Sequence, residues 1–233
     1  MRWLHRALLT HDRKGWRERA QESILDLNDG IVSAAGIAEG FATAGASTRA
    51  LLFAGLTVIL AGGFAAAASR YAEERTEWEV DHSLVERERA SIAADPEGEL
   101  DELAAIYEAK GLEPALARQV AEALTARDPV AAHSEAELDV ETIQPARANI
   151  FAAVNAGLFY GLGAAVPLLA ARWLPADERP ELTFAPVLLA LALTGWLASS
   201  LTGLPTVRLI VRNLVLGTAT MAAGLLVGVV VGL

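Results

Sequence analysis

Long apolar stretches alternate with strongly charged segments along the chain, and the apolar stretches predict membrane-spanning helices. Four stretches of twenty or more residues contain no Asp, Glu, Lys or Arg. Each can cross a hydrocarbon core of roughly 30 Å as a helix rising about 1.5 Å per residue, which satisfies its own backbone groups in lipid. A soluble core built from 233 residues is too small to enclose four such helices. The stretches are Ala50–Ser69, Ala148–Ala171, Leu182–Val207 and Asn213–Leu233.

A fifth span is predicted over Ile24–Ala44, where small and apolar residues are interrupted by Asp26, Asn28, Asp29 and Glu39. Each carboxylate near mid-bilayer costs roughly 2.5–3.5 kcal/mol on insertion scales, so hydropathy alone leaves this segment marginal. The prediction depends on connectivity. A crossing is needed between the basic N-terminus and the short loop that follows the segment, because the next apolar stretch must then return inward.

The distribution of Lys and Arg sets the expected topology. Residues 1–23 form a basic cytoplasmic segment, and residues 24–70 hold the first two spans. Residues 71–147 form a cytoplasmic insert, and residues 148–233 hold the last three spans, with the C-terminus on the far side. The predicted fold is therefore an all-α membrane protein with five transmembrane helices and a helical cytoplasmic insert between the second and third.

The composition of the chain excludes several classes of partner and site. The chain is 53% hydrophobic, yet its net charge is -10, and the insert at 71–147 carries 20 acidic and 7 basic residues. Such an acidic domain repels phosphate, so no nucleic-acid partner is expected. The chain has no cysteine, which excludes thiolate ligands and disulfides. It also lacks HExxH, GxSxG and Walker patterns, so we expect neither an enzyme nor a permanently bound cofactor.

The insert is predicted to be a series of helices separated by proline and glycine. Apolar residues recur at helical spacing, and aspartate-proline pairs are typical of a helix N-cap followed by proline in the first turn. The predicted elements are a charged helix reaching Ile92, a break at Asp95-Pro96, a helix over Glu97–Lys110 capped by Gly111, a helix from Pro114 to about Ala126, and a helix from Pro129, capped by Asp128, to about Leu138.

Carboxylate and histidine side chains in the insert share helical faces at i,i+3 and i,i+4 spacing. Each such pair supplies half of a site for a divalent ion, and oxygen with imidazole suits Fe²⁺, Mn²⁺ or Zn²⁺. A solvated helix face is the alternative interpretation of any single pair. The pairs are Glu99 with Glu102, His133 with Glu137, and His82 with Glu86.

A six-residue motif at the start of the predicted first span resembles a family signature. Asn28-Asp29-Gly30-Ile31-Val32-Ser33 is similar to the NDGIVS motif of the vacuolar iron transporter family and its bacterial relatives. The resemblance continues through Ala61-Gly62-Gly63, Glu102-Leu103-Ala104-Ala105-Ile106-Tyr107 and Pro167-Leu168, and covers nearly the full chain. It implies homodimers in the lipid bilayer that move Fe²⁺, often also Mn²⁺, out of the cytosol in exchange for protons. We expect a multi-pass protein of a bacterial inner membrane.

The resemblance also implies metal-binding residues. The first-helix aspartate of the family corresponds to Asp29, and its methionine pair in the cytoplasmic domain corresponds to His133-Ser134. Imidazole in place of thioether makes the site harder, which favours Mn²⁺ or Zn²⁺ relative to the iron sites of the family. The cytoplasmic glutamates of the family correspond to Glu88, Glu99, Glu102 and Glu137.

The second predicted span departs from the family pattern. In the family, the second helix carries a metal-binding glutamate and methionine. The resemblance places these at Val58 and Ala66, whose side chains cannot bind metal. Glu39 is an additional carboxylate in the first span, and we hypothesise that it partly replaces the missing one. Because of these departures, a membrane metal-binding protein that does not transport, with a sensor, storage or assembly role, is the alternative function.

Overall fold

The structure is a computed structural model that describes residues 2–138, 147–173 and 179–232, with side chains described for 15–138, 148–170 and 184–232. The described residues form helices and no strands, as the predicted fold class requires. The helices are α1 (Arg2–Thr43), α2 (Thr48–Thr57), a π-helical turn (Val58–Gly62), α3 (Gly63–Ala94), α4 (Pro96–Ala109), α5 (Pro114–Thr125), α6 (Pro129–Glu137), α7 (Arg147–Trp173), α8 (Arg179–Thr202) and α9 (Thr206–Gly232).

Four helical stretches are long and apolar enough to cross a membrane, judged by length and composition: Thr48–Ala94, Ala148–Ala170, Phe184–Thr202 and Thr206–Gly232. Each overlaps one of the four charge-free stretches of the sequence. Helix α1 is continuous over 42 residues but carries too many charges to meet the same criterion. The fifth span over Ile24–Ala44 therefore stays a prediction.

The apolar stretch Ala50–Ser69 and the charged segment after it form one uninterrupted helical run, Thr48–Ala94. The run changes to π geometry at Val58–Gly62 and returns to α geometry in α3. A π turn inside an α-helix is rare and is frequently found at functional sites. It begins at Val58, the position where the family resemblance places a metal-binding glutamate.

The boundary between α8 and α9 differs from the prediction. Helix α8 ends at Thr202, and Gly203 adopts a positive φ of 71°, which favours glycine. Helix α9 then begins at Thr206 and includes Arg208 and Arg212. The helix boundary had been predicted from the absence of charged residues. The turn itself is formed by Gly203 and Pro205, which the charge pattern does not reveal.

The chain divides into two compact units, which are described separately. The first, the spanning unit, comprises Met1–Arg70 and Phe151–Leu233. Helices α1, α8 and α9 pack together in it around a buried apolar cluster that includes Ile31, Leu191 and Met221. Helices α1 and α7 approach so closely that a methyl group on Gly30 would lie 2.0 Å from the Tyr160 carbonyl oxygen. A side chain larger than hydrogen at position 30 would therefore clash with α7, which explains the glycine of the NDGIVS motif.

The second unit, the acidic unit, comprises Tyr71–Ile150. Its helix boundaries confirm the aspartate-proline predictions. Asp95 accepts a hydrogen bond from the Gly98 amide at 3.0 Å, and Asp128 accepts one from the Ala131 amide at 3.1 Å. Gly111 follows α4 with a φ of 98°, as expected of a C-terminal cap. A small apolar core joins α4, α5 and α6 through Leu103, Ala104, Ala121 and Ala132.

Candidate metal centre

Four of the predicted site residues meet inside the acidic unit. Glu88 lies on α3, Glu99 on α4, and His133 and Glu137 lie one turn apart on α6. Each offers one ligand atom, and these atoms all lie within 4.8 Å of one another. His133 Nδ1 lies 2.8 Å from Glu137 Oε1, 3.2 Å from Glu88 Oε1 and 3.7 Å from Glu99 Oε2. We call this set the Glu3His cluster.

Local structure explains how these side chains come together. The Asp95 cap starts α4 so that Glu99 stands in its first turns, and the Asp128 cap starts α6 four residues before the imidazole. The apolar core beneath them then fixes α4 against α6. His133 is 1% exposed in this arrangement, whereas Glu135 on the outer face of α6 is exposed. The imidazole is therefore part of the interior rather than of a solvated face.

The charge balance of the Glu3His cluster favours a cation. Nδ1 of one imidazole carries at most one proton, so it can donate to one of the three carboxylates that surround it. Glu88 Oε1 is buried and makes no hydrogen bond with any described residue. Burial, and then the negative charges of Glu137 and Glu99, raise the pKa of Glu88, although His133 acts in the opposite direction. A divalent ion bound by all four side chains relieves both the repulsion and the unsatisfied oxygen.

The pKa of Glu88 gives a testable prediction about stability. A carboxyl group whose folded pKa is raised stabilises the fold while it is protonated, and this stabilisation is lost as pH rises through the folded pKa. We expect metal-free protein and its Glu88→Gln variant to unfold at similar temperatures in acid, where both side chains are neutral. As pH rises, the variant becomes the more stable of the two. Thermal unfolding of the full chain in detergent across pH, with a chelator present, measures this difference.

A divalent ion added at neutral pH supplies the control for this prediction. It should stabilise the parent protein more than Glu88→Gln, because only the parent offers the Glu88 carboxylate as a ligand. The prediction is wrong if the two proteins keep the same difference in unfolding temperature at every pH.

Two other predicted ligands of the insert stand apart from the Glu3His cluster. Glu102 is exposed on α4. Its negative charge is the weakest of the described contributions that raise the pKa of Glu88. His82 stacks on the ring of Trp78, with centroids 5.0 Å apart, rather than joining Glu86. A role for Glu102 in metal binding stays a prediction.

The two predicted ligands of the spanning unit lie on α1. Asp29 is exposed at the surface of this unit, and no described side chain forms an ion pair with it. Asp26, by contrast, lies 3.8 Å from Arg70. Glu39 is 1% exposed, and its Oε1 lies 3.5 Å from the Thr43 hydroxyl. Asp29 and Glu39 are separated by about 15 Å along one helix, so they cannot bind one ion together.

Sequence reasoning missed two polar residues, of which Thr194 bonds to the signature motif and Asn213 bonds to Thr194. Thr194 Oγ1 on α8 donates to Asn28 Oδ1 at 3.0 Å, and Asn213 Nδ2 on α9 donates to Thr194 Oγ1 at 3.2 Å. The available signal was an isolated asparagine or threonine inside an apolar span, where a polar side chain needs a partner.

Comparison with known proteins identifies the family. The sequence profile of the VIT family matches residues 20–229, which is most of the chain. This chain belongs to the VIT family. It is 32% identical over 161 residues to a vacuolar iron transporter of Acanthamoeba castellanii, an alignment that covers 69% of this chain and 57% of that protein. It is 29% identical to vacuolar iron transporter 1 of Oryza sativa subsp. japonica over 88% of this chain and 82% of that protein.

A third relative agrees with these two. Vacuolar iron transporter 1 of Arabidopsis thaliana is 28% identical over 88% of this chain and 83% of its own length. The resemblance seen in the NDGIVS motif is thus confirmed at the level of the family. Together with its apolar helices, family membership makes this VIT-family chain an integral membrane protein.

Proposed function

We propose that this VIT-family protein transports divalent metal ions, Fe²⁺ and also Mn²⁺, out of the cytosol in exchange for protons. The observation that carries the proposal is the Glu3His cluster, in which three carboxylates surround one buried imidazole. Three relatives named vacuolar iron transporters support iron as the cargo. The oxygen and nitrogen donors of the cluster suit Mn²⁺ and Zn²⁺ as well.

In this mechanism the acidic unit concentrates the ion and the spanning unit carries it. The net negative charge of residues 71–147 attracts cations to the Glu3His cluster. Asp29 then provides negative charge to the ion within the membrane, where an uncompensated double charge is costly. Metal and protons compete for the same carboxylates, so binding of one releases the other. Exchange follows when the site opens in turn to each side.

We further propose that the protein functions as a homodimer. Asp29 is exposed at the surface of the spanning unit of a single chain, although its helix packs against apolar spans. A carboxylate facing lipid is costly, so a second copy covering this face would give Asp29 a protein environment. The exposed apolar side chains of α2, the π-helical turn and α3, among them Phe53, Leu60 and Phe64, are available for lipid or for such a partner.

The proposed topology follows the positive-inside rule. The N-terminus and residues 71–147 face the cytoplasm, and the C-terminus lies on the far side. We propose a bacterial inner membrane as the location, although the three relatives compared above are proteins of eukaryotes.

A second candidate function is metal binding without transport, in a sensor, storage or assembly role. The observation that favours it is the pair Val58 and Ala66, two half-buried apolar side chains at positions where the family resemblance places metal ligands. Both candidates require the Glu3His cluster to bind metal, so binding alone does not separate them.

Metal flux into vesicles separates the two candidates. The purified full chain is reconstituted into proteoliposomes that contain a metal-quenched dye, and Fe²⁺ (kept reduced) or Mn²⁺ is added with and without a pH gradient. We expect uptake that a proton gradient drives and a protonophore abolishes. Ion binding without uptake above protein-free vesicles would instead establish the non-transporting function.

A further inference from the structure

A row of hydrogen-bonded polar side chains crosses the spanning unit beside Asp29. It joins three helices: Asn213 on α9 donates to Thr194 on α8, and Thr194 donates to Asn28 on α1. We propose that Asn28, Thr194 and Asn213 are positioning residues that fix the rotation of α1 and so hold Asp29 at the open face of the unit. This inference rests on the proposed function, in which Asp29 provides charge to the transported ion.

The burial of these polar groups supports a directional role, because packing alone does not need them. Asn28, Thr194 and Asn213 are 9%, 2% and 3% exposed, and they stand next to the apolar cluster around Leu191. Apolar or small side chains would fill the same space without the cost of burying amide and hydroxyl groups. Hydrogen bonds add a fixed direction between helices, which dispersion contacts do not.

The amide of Asn213 has one favourable orientation within this row. Its Nδ2 lies 3.2 Å from Thr194 Oγ1 and 3.4 Å from the Leu191 carbonyl oxygen, both acceptors. Its Oδ1 lies 3.4 Å from Nε and Nη2 of Arg212, which are donors. Thr194 Oγ1 lies 3.0 Å from Asn28 Oδ1 and 2.9 Å from the Leu191 carbonyl oxygen, so its one proton is shared between two acceptors. The row links Asn213 to Asn28 through this hydroxyl.

The neighbours of Asp29 are held on both sides. Successive residues of an α-helix point about 100° apart, so positions 28 and 30 flank the direction of position 29. Asn28 is bonded to α8, and Gly30 lies against the backbone of α7 at Tyr160. With both flanking positions buried, Asp29 is left on the exposed side of α1. Loss of the Asn28 contact would free α1 to turn and would redirect the carboxylate.

The chain contains no cysteine, so one introduced thiol reports the direction of position 29 without background. We would place Asp29→Cys in the full chain and measure its rate of modification by a hydrophilic methanethiosulfonate reagent. The same measurement is repeated with Thr194→Val, which removes the hydroxyl at nearly constant shape, and with Thr194→Ser, which keeps it. Ser91→Cys, at an exposed position of the acidic unit, is the matched control for reagent and detergent effects.

We expect Thr194→Val to change the modification rate at position 29 by about threefold or more, the effect of one interhelical hydrogen bond, while Thr194→Ser stays near the parent value. In chains that keep Asp29, metal flux should fall in Thr194→Val and be retained in Thr194→Ser. Asn213→Leu removes the donor to Thr194, so it should change the modification rate and the metal flux in the same way as Thr194→Val.

Equal modification rates in the parent, Thr194→Val and Asn213→Leu chains would overturn the inference. A serine variant that behaves like the valine variant would also overturn it, because serine keeps the hydroxyl. Modification is measured on the monodisperse fraction and does not require transport. Absence of flux in the parent protein would therefore count against the proposed function alone, while the rates at position 29 still decide the positioning role.

Discussion

Replacing Asp29 with asparagine is expected to lower metal flux in proteoliposomes by about 10- to 100-fold, the range seen when a group that supports a bound metal is lost. Asparagine keeps the size of the side chain and one carbonyl oxygen but removes the negative charge. A divalent cation in a medium that excludes water needs such charge, and the nearby Asp26 already lies within 3.8 Å of Arg70. Ion binding by the Glu3His cluster should be unchanged, because these four ligands belong to the acidic unit.

Two variants control this experiment. Asp29→Glu keeps the charge and should retain part of the flux. Glu113→Gln removes a charge from an exposed position that makes no side-chain capping bond, and it should leave flux unchanged. Transport by Asp29→Asn at the parental rate would exclude the proposed role of Asp29. Loss of both flux and cluster binding in that variant would indicate a general failure to fold.

The helices of the acidic unit could be predicted closely because their boundaries are set by local chemistry. Asp95 and Asp128 bond to amides three residues ahead, and such contacts depend on a few neighbouring residues. The end of α8 was predicted less well. An absence of charge extends past Thr202 to Val207, and it carries no information about the turn at Gly203.

In the candidate site, too, local contacts could be predicted and contacts between distant segments could not. His133 and Glu137 are one turn apart on α6, so their pairing follows from helical spacing. Glu88 comes from a different helix, and helical spacing does not bring α3 to α6; family resemblance alone pointed to it. Thr194 and Asn213 lie on α8 and α9 without any periodic pattern. Their partnership with Asn28 arises only when three distant segments pack together.

Replacing His133 with leucine is expected to weaken divalent metal binding by at least about 10- to 100-fold, since it removes a ligand rather than an outer partner. Leucine fills a similar volume in a position that is 1% exposed, so packing of α6 is largely kept. Among the described residues, His133 is the group that lowers the pKa of Glu88, so its loss leaves three carboxylates facing one another with less compensation. Protons should compete more strongly with metal in this variant, and its binding should weaken further at acidic pH.

Titration of the purified full chain with Co²⁺, followed by visible absorption, measures this change and reports loss of the nitrogen ligand through the shape of the spectrum. Glu135→Gln is the matched control, because it removes a carboxylate from the exposed face of the same helix. A third variant, His133→Met, tests whether imidazole sets the preference for harder ions: it should lower affinity for Mn²⁺ more than for Fe²⁺. If His133→Leu and Glu135→Gln bind Co²⁺ with equal affinity and identical spectra, the metal does not bind at the Glu3His cluster.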